Sequence, residues 1–210
     1  MYIPSSFSET DVDRLHEFLE ANSFATLITE GESGIIASHL PLLLDRGAGD
    51  RGILLGHMAR ANVQWREVDE AEALVIFHGP HAYISPAWYA EENVVPTWNY
   101  VAVHVYGKIR IVSDQDVLLQ TLRKMVEKYE RGTSSPWSID EPDDGFLSSL
   151  LDSIVGFEVA IDRIEGKWKL SQNHTVARRT RVVDALQTRG GEQACAIANL
   201  MKVTIQKDVE

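Results

Sequence analysis

Residues 97–112 read TWNYVAVHVYGKIRIV, and this run predicts the clearest strand in the chain. Side chains of a strand point alternately to its two faces, so a strand with one buried face repeats its apolar residues at every second position. The apolar face here carries Val101, Val103, Val105, Ile109 and Ile111, and the opposite face carries His104, Tyr106, Lys108 and Arg110. We therefore expect one face to lie in the core and the other to meet solvent or a functional site.

Shorter β-rich segments lie on both sides of this strand. The segments before it span residues 24–29, 34–44, 53–58 and 74–78, with glycine-rich or charged turns between them. After it, the alternation resumes at Phe157 and continues to a predicted turn at Glu165–Gly166. Because consecutive strands lack an intervening helix of crossover length, we expect a mostly antiparallel sheet that closes, fully or partly, into a barrel.

Apolar residues at helical spacing predict helices around this sheet. They cover residues 9–21, Ser113 to about Arg131–Gly132, residues 146–154 and the tail from about Thr175. Ser8 with Asp11 is the expected cap of the first helix, and Ser113 is the expected cap of the second. The fold class is therefore mainly β with flanking helices. We expect one domain over residues 1–210, with barrel and flanking helices in 1–173 and a helical C-terminal tail in 174–210.

Composition narrows the class of protein. The 210 residues carry a formal net charge of −11, so the overall field repels DNA, and any nucleotide site needs locally placed cations. Cys195 is the single cysteine, and the N-terminus lacks a signal-peptide pattern, so we expect a cytoplasmic protein without disulfides. No apolar run approaches the length of a membrane span, so we expect no membrane partner.

The segment GHMARAN, residues 56–62, joins an apolar strand to a short predicted helix that runs through Trp65. Free N–H groups at such a junction, together with the Arg60 guanidinium, favour binding of a phosphate monoester. The alternative is an ordinary junction, in which Arg60 is solvated and Asn62 caps the helix. The local pattern leaves both interpretations open.

Two further segments have compositions that suit a ligand. Residues 79–100 combine aromatic side chains with three prolines and lack strong periodicity, which predicts a functional loop, a dimer interface or part of the core. Residues 167–173, KWKLSQN, end a strand with cations and amides. Lys169 suits a phosphate, and Gln172 or Asn173 suits the polar edge of a ring system, although an ordinary polar strand end has the same composition.

The sequence lacks the motifs of several enzyme classes. It contains no HExxH, GxSxG, GxGxxG or Walker A motif, and the nearest histidine pair, His78 and His81, suits hydrogen bonding better than a metal. We therefore predict no metal site and assign no catalytic residue. Arg178, Arg179 and Arg181 form a basic cluster that we interpret as a solvated helix face rather than a DNA-binding surface.

Together these segments resemble the PaiB-type FMN-binding negative transcriptional regulators, a branch of the flavin reductase-like split barrels related to pyridoxamine-phosphate oxidase. The resemblance covers nearly the whole chain through the order and spacing of six segments. They are MYIP (1–4) with Phe7, SHLP (38–41), GHMARAN (56–62) with Gln64–Trp65, YISP (83–86) with Trp88–Tyr89, VPTWNY (95–100) and KLSQN (169–173). Val63 stands where the family pattern has proline, which should affect the helix start more than the ligand chemistry.

The resemblance implies a six-stranded split β-barrel that forms a homodimer, with FMN in each of two clefts between the subunits. The residues that it assigns to the cofactor fall into four groups along the chain. They are Ser38, His39, Leu40 and Pro41 beside the ring or ribityl chain; His57, Met58, Arg60 and Asn62, of which Arg60 and Asn62 meet the phosphate; Thr97, Trp98 and Asn99 near the isoalloxazine; and Lys169, Gln172 and Asn173 from the partner chain.

The function implied by the resemblance is that of an FMN-binding transcriptional regulator, although net charge does not support DNA as a partner. One alternative is a flavin-dependent oxidoreductase of the flavin reductase or pyridoxamine-phosphate-oxidase type, in which FMN carries the hydride and the protein positions it. A second alternative is a haem-binding or haem-degrading split barrel, with His57, His104 or His174 as an axial ligand.

Overall fold

A computed structural model describes residues 1–32 and 34–208 of the chain, with Asp144 described by its backbone only. Within these residues there are eight strands and five α-helices. The strands are β1 (Ser8–Glu9), β2 (Phe24–Gly31), β3 (Gly34–Pro41), β4 (Leu43–Asp45), β5 (Ile53–Ala59), β6 (Glu72–Ile84), β7 (Thr97–Val112) and β8 (Ile154–Lys169). The helices are α1 (Val12–Ala21), α2 (Gln115–Glu130), α3 (Asp144–Asp152), α4 (Val176–Arg189) and α5 (Glu192–Lys207).

The strands form one sheet in the order β3-β2-β6-β7-β8-β5-β4, and β1 adds to β8. The pairs β1–β8, β2–β3, β2–β6, β4–β5 and β5–β8 are all antiparallel. The prediction of a mainly β, mostly antiparallel fold with a helical tail is therefore confirmed. Residues 209–210 of that predicted tail lie outside the described residues.

Strand β7 has the bounds that the sequence predicts, and its two faces differ as expected. Val103 and Val105 are fully buried, whereas Lys108 and Arg110 are exposed. Gly107 interrupts the apolar face because a Cβ there would overlap the backbone of Ala160 in β8. Only glycine permits that close approach of the two strands.

The contacts within the chain cluster into two compact units, which we describe separately. Unit 1 comprises residues 1–18, 78–104 and 165–210, and unit 2 comprises residues 19–77 and 105–164. The core of unit 1 lies largely where α4 packs on α5, around Val182, Leu186 and Met201. The core of unit 2 lies on the sheet. Its fully buried side chains include Leu27, Leu54, Val75, Phe77, Val105 and Ile109. The prediction of a single domain stays a prediction.

Two predicted helix starts are wrong by a few residues, because neighbouring aspartates act as caps. Ser8 belongs to β1 and pairs with Lys167, and the Asp11 carboxylate accepts the N–H of Arg14 at the start of α1. Asp114, rather than Ser113, caps α2 by accepting the N–H groups of Asp116 and Val117. A carboxylate oxygen serves this position as well as a hydroxyl does. The helical tail predicted from about Thr175 is confirmed, since α4 begins at Val176 and the Thr175 side chain caps it by accepting the N–H of Arg178.

Two glycines interpreted as breaks lie inside strands instead. β8 continues through Gly166, where the predicted turn is wrong, because the missing Cβ makes room for Leu15 and Trp168. β6 continues through Gly79, where a Cβ would meet the ring of Phe18. The irregular part of residues 79–100 is therefore much shorter than the sequence predicts. It contains a short 3-10 helix at Pro86–Tyr89 and the loop 90–96.

Candidate functional site

The predicted phosphate junction at residues 56–62 belongs to unit 2, where β5 ends at Ala59 and a four-residue 3-10 helix follows at Val63–Arg66. The Asn62 side-chain oxygen accepts the N–H of Gln64 at 3.0 Å, and the N–H of Asn62 donates to the Ala59 carbonyl at 2.9 Å. Asn62 therefore caps the helix, which is what the alternative interpretation of this segment, an ordinary junction, predicts. These backbone donors already have protein partners.

Arg60 is exposed and tied to the end of α3. Its Nε donates to the Asp152 carbonyl at 2.6 Å, and its Nη2 donates to the Ile154 carbonyl at 2.8 Å. Its backbone N–H donates to the Ser153 carbonyl at 2.9 Å. Carbonyl oxygens at a helix C-terminus carry partial negative charge and attract a cation. Arg60 therefore joins the β5 end to the α3–β8 connection.

Ser38 belongs to a hydrogen-bond network with Asn62 and Gln64. Asn62 Nδ2 donates to Ser38 Oγ at 2.9 Å, Ser38 Oγ donates to Gln64 Oε1 at 2.6 Å, and Gln64 Nε2 donates to Thr29 Oγ1 at 2.9 Å. Gln64 is fully buried. The structure thus brings Ser38 and Asn62 into direct hydrogen bonding, and Gln64, which has no predicted cofactor role, binds to both.

The other predicted residues of unit 2 are more dispersed. His39 is exposed, and its Nδ1 lies 3.0 Å from Thr26 Oγ1, while Leu40 and Pro41 are partly buried on β3. Met58 is buried in the core. His57 Nδ1 is buried without a hydrogen-bond partner, and burial lowers the pKa of this histidine. An uncharged imidazole is therefore favoured there.

A cavity of about 360 Å³ lies within unit 1 and collects four of the predicted cofactor residues. These are Thr97, Asn99, Lys169 and Asn173. Apolar parts of its wall come from Phe7, Val95 and Pro96. Strand β7 begins here at Thr97 and β8 ends here at Lys169, so residues far apart in the sequence meet at one rim. The volume falls at the lower end of the range for small-molecule sites.

Lys169 is the central cation of this cavity. Its Nζ donates to Thr97 Oγ1 at 2.5 Å and to the Trp98 carbonyl at 2.9 Å. Burial, followed by repulsion from Lys167, lowers the pKa of Lys169. Within the described part of the chain no carboxylate pairs with it. Since an ammonium has three donors, one donor of a partly buried cation is left for a ligand.

Asn99 forms the floor of the cavity. It is fully buried, its Oδ1 accepts from Ser171 Oγ at 3.1 Å, and its Nδ2 lies 3.3 Å from the Met201 sulfur. Ser171 lies in the left-handed region, with φ of 67°. The polar floor is therefore fixed by contacts inside the protein.

Two predicted residues do not line this cavity. Trp98 points to the other face of β7, where it is 52% exposed and packs edge-on against Tyr83. Gln172 closes a tight turn, since its Oε1 accepts the N–H of Leu170 and its Nε2 donates to the Trp168 carbonyl. Alternation along β7 places Thr97 and Asn99 on the same face and Trp98 on the opposite one.

Three residues without a predicted flavin contact also line the cavity, namely Arg178, Tyr89 and His174, of which His174 is a predicted axial ligand only under the haem alternative. The Arg178 guanidinium lies 4.1 Å from the centre of the Tyr89 ring and 3.0 Å from His174 Nδ1. Burial and then Arg178 lower the pKa of His174, while burial raises the pKa of Tyr89. Both rings are therefore favoured in their uncharged forms near neutral pH.

The three arginines of α4 do not form one solvated face, and that interpretation is wrong for Arg179. Arg179 is 1% exposed, forms an ion pair with Asp208 and donates to Thr204 Oγ1 at 2.8 Å. Arg178 lines the cavity, and Arg181 is 40% exposed. Residues three apart share a helix face, whereas their neighbour faces elsewhere. That spacing is a signal that could have separated Arg179 from the other two.

Two negative findings complete the description of the site. Among residues 1–32 and 34–208, no three His, Cys, Asp or Glu side chains gather in an arrangement that holds a metal ion. None of the helices in the described part of the chain is both long enough and apolar enough to cross a membrane.

Comparison with known proteins identifies relatives over the full length of the chain. The profile of one family, described as "Putative FMN-binding domain", matches residues 1–163. The chain is 40% identical over 210 residues to protease synthase and sporulation protein PAI 2 of Bacillus subtilis, covering 100% of both. It is 31% identical over 242 aligned positions to uncharacterized protein AN0679 of Emericella nidulans, covering 96% of both.

Solved structures share the fold at low sequence identity. The flavocytochrome Anf3 of Azotobacter vinelandii superposes with a TM-score of 0.61 at 13% identity, over 77% of this chain and 69% of that one. An FAD and haem binding protein of Mycobacterium smegmatis gives a TM-score of 0.57 at 15% identity, over 88% and 80%. With these likenesses the predicted flavin split-barrel fold class is confirmed.

Proposed function

The chain belongs to the family of FMN-binding domains whose profile it matches, and from this we propose that it is an FMN-binding regulatory protein whose flavin lies beside Lys169. The observation that carries the placement is Lys169 itself. It is a partly buried cation at a cavity, with only neutral hydrogen-bond partners. A buried charge without a countercharge is costly, so an anionic ligand stabilises it.

The other groups of the cavity fit the same ligand. Thr97 and Asn173 offer hydroxyl and amide groups, while Phe7 and Pro96 offer apolar surface for a ring. FMN combines an anionic phosphate, a polyhydroxyl chain and a planar ring with polar edges, so it needs this mixture of donors and apolar wall. When bound, FMN supplies hydride or electron transfer, and the protein supplies binding and orientation.

We propose that two copies of the chain complete the site as a homodimer. A cavity of about 360 Å³ is small for a whole flavin mononucleotide, so surface from a second copy is needed to enclose it. β3 lies at one end of the strand order, and Ile35 on it is 74% exposed. An edge strand with exposed apolar residues favours pairing with another chain. Light scattering should give the mass of a dimer, and a monomer holding FMN would contradict this part.

The residues that the resemblance places in unit 2 stay predictions as cofactor contacts. Ser38, Asn62 and Arg60 already have the protein partners described above. Those contacts support a structural role for the three residues.

The regulatory part of the proposal is supported by the relative from Bacillus subtilis that aligns over the whole chain and is named protease synthase and sporulation protein PAI 2. A cytoplasmic location is part of the same proposal. Because the net charge of −11 opposes nonspecific DNA binding, an effect on transcription through DNA requires a specific site. A promoter-DNA shift assay at several salt concentrations, with and without FMN, tests this part. Loss of all binding at physiological salt in both states would contradict it.

The cofactor proposal is tested on the purified full-length chain. FMN binding predicts quenching of flavin fluorescence that saturates at one FMN per chain. Lumiflavin, which has neither ribityl chain nor phosphate, should bind much more weakly because it offers no anion to Lys169. Unquenched FMN fluorescence at excess protein would contradict the proposal.

A further inference from the structure

Arg178 is the second cation of the unit 1 cavity, and it shares its countercharge, Glu91, with Arg181. Its guanidinium lies 3.5 Å from the Glu91 carboxylate, while Arg181 holds the same carboxylate at 2.7 Å. Glu91 thus serves two arginines and lies closer to the one that does not line the cavity. The charge of Arg178 is only partly compensated.

The Arg178 side chain is only 14% exposed, and its donors are incompletely used. One Nη group donates to His174 Nδ1, and Nε is buried without a hydrogen-bond partner. A guanidinium has five N–H donors in a rigid fork, so several remain for an acceptor in the cavity. The Tyr89 ring beneath it fixes its plane without using those donors.

The electrostatic surroundings favour an anion at this position. Lys169 lines the same cavity, and α4 begins at Val176, so the positive end of its dipole lies beside His174 and Arg178. The first turn of α4 carries no acidic residue. Two cations and a helix N-terminus therefore act together on one cavity, in a chain whose overall charge is negative.

We propose that Arg178 is a ligand-binding residue of this cavity that holds an oxygen of the flavin, and that Glu91 competes with the ligand for Arg178. The inference rests on the proposed FMN function. The acceptor is either the phosphate monoester or an oxygen on the polar edge of the ring, since both suit a guanidinium fork. Before FMN binds, the Glu91 carboxylate pairs with Arg178. When FMN binds, this ion pair opens and Arg178 contacts the flavin.

The test uses three variants of the full-length chain and two flavins. Arg178→Gln removes the cavity cation, whereas Arg181→Gln is the matched control, because Arg181 lies on the same helix and binds the same carboxylate but does not line the cavity. Glu91→Gln removes the competitor. Dissociation constants for FMN and riboflavin are measured by quenching of flavin fluorescence, with circular dichroism to check folding.

We expect Arg178→Gln to weaken FMN by about tenfold or more. Arg181→Gln leaves the Glu91 carboxylate to Arg178 alone, so it should weaken FMN only slightly, by less than about threefold. Glu91→Gln should tighten FMN several-fold. If Arg178 binds the phosphate, riboflavin affinity is the same with and without Arg178. If it binds the ring, riboflavin weakens by the same factor as FMN. Either pattern supports the proposal and identifies the acceptor.

Equal affinities of the wild type and Arg178→Gln for both flavins would overturn the inference, as would equal losses in Arg178→Gln and Arg181→Gln. If Arg178→Gln fails to fold, the Glu91→Gln variant provides the test. FMN affinity of Glu91→Gln that is equal to or weaker than that of the wild type would then overturn the inference. A wild type that binds neither flavin is a different result. It refutes the proposed function itself.

Discussion

The Arg60 junction in unit 2 and the Lys169 cavity in unit 1 both present cations, but they differ in what those cations already have around them. Arg60 is exposed to solvent, and its fork holds two carbonyl oxygens of the α3–β8 connection. Lys169 is partly buried and binds only a hydroxyl and a carbonyl. A solvated cation costs little, whereas a desolvated cation without a countercharge favours an anionic ligand.

The two regions differ in how many of their donors and acceptors already bind the protein itself. The segment GHMARAN contains residues that suit a phosphate, yet Arg60 Nε and Nη2 and Asn62 Nδ2 already donate to other parts of the protein. The cavity at Lys169 draws its groups from three separate stretches of the chain, at Phe7, in residues 89–99 and in residues 169–178. The residue type determines which ligands a side chain is able to bind. The contacts inside the protein determine which of its hydrogen-bond donors and acceptors remain available for a ligand.

The largest effect should come from the cavity. Lys169→Met removes the cation while keeping an unbranched side chain, so FMN affinity should fall by about 10- to 100-fold through loss of a charge-assisted contact. Lys202→Met is the control, since Lys202 is an exposed lysine of the same unit. Fluorescence titration measures both. Equal affinities of the two variants would remove the distinction that we draw for Lys169.

The next effect concerns the junction, and it should appear in stability rather than in binding. Arg60→Ala removes the bonds to the Asp152 and Ile154 carbonyls, so the free energy of unfolding should fall by about 1–2 kcal/mol. FMN affinity should change by less than about twofold. Urea unfolding and flavin titration on one preparation measure both. A loss of 1 to 3 kcal/mol in FMN binding with unchanged stability would reverse the comparison and restore Arg60 as the phosphate ligand.

A somewhat smaller loss of stability is expected at the cap of the short 3-10 helix. Asn62→Ala removes the acceptor for the Gln64 N–H and the donor to Ser38, which should cost about 1 kcal/mol. Asn62→Asp keeps the acceptor and should recover part of that loss. Thermal unfolding of the pair provides the measurement. Equal melting temperatures for both variants and the wild type would show that the cap contributes nothing.

The smallest effect is a pH dependence at His57. Burial lowers its pKa in the folded chain, so the unfolded chain takes up the proton first as pH falls below the ordinary value of 6.5. Stability should therefore be greatest above that pH and decline below it, and His57→Gln should decline less. The exposed His81→Gln provides the control and should decline like the wild type. Identical profiles for all three proteins would contradict burial as the cause.

Local patterns in the sequence predict much of the fold, because side-chain periodicity reports which face is buried. β7 follows from alternation alone, with its bounds at Thr97 and Val112. Gly166 misleads as a turn signal and Gly79 as the start of an irregular segment, since their role is to admit Leu15 and Phe18 from elsewhere in the chain. A glycine chosen for close approach looks the same in sequence as one chosen for a turn.

The candidate site is less predictable from sequence, because its geometry depends on tertiary contacts. Lys169 and Asn173 were identified as ligand residues, but Arg178 appears in sequence as part of a basic cluster with Arg179 and Arg181. Only the packing of α4 on α5 buries Arg179 against Asp208 and leaves Arg178 at the cavity. Contacts between residues this distant in the chain leave no local pattern.

The most direct test of the central claim is a crystal structure of the chain grown with FMN. We predict flavin in the unit 1 cavity, with an oxygen of the cofactor within about 3.2 Å of Lys169 Nζ. The Arg60 fork should remain on the carbonyls of Asp152 and Ile154. A flavin phosphate bound to Arg60 and Asn62, with no cofactor atom in contact with Lys169, would contradict the account.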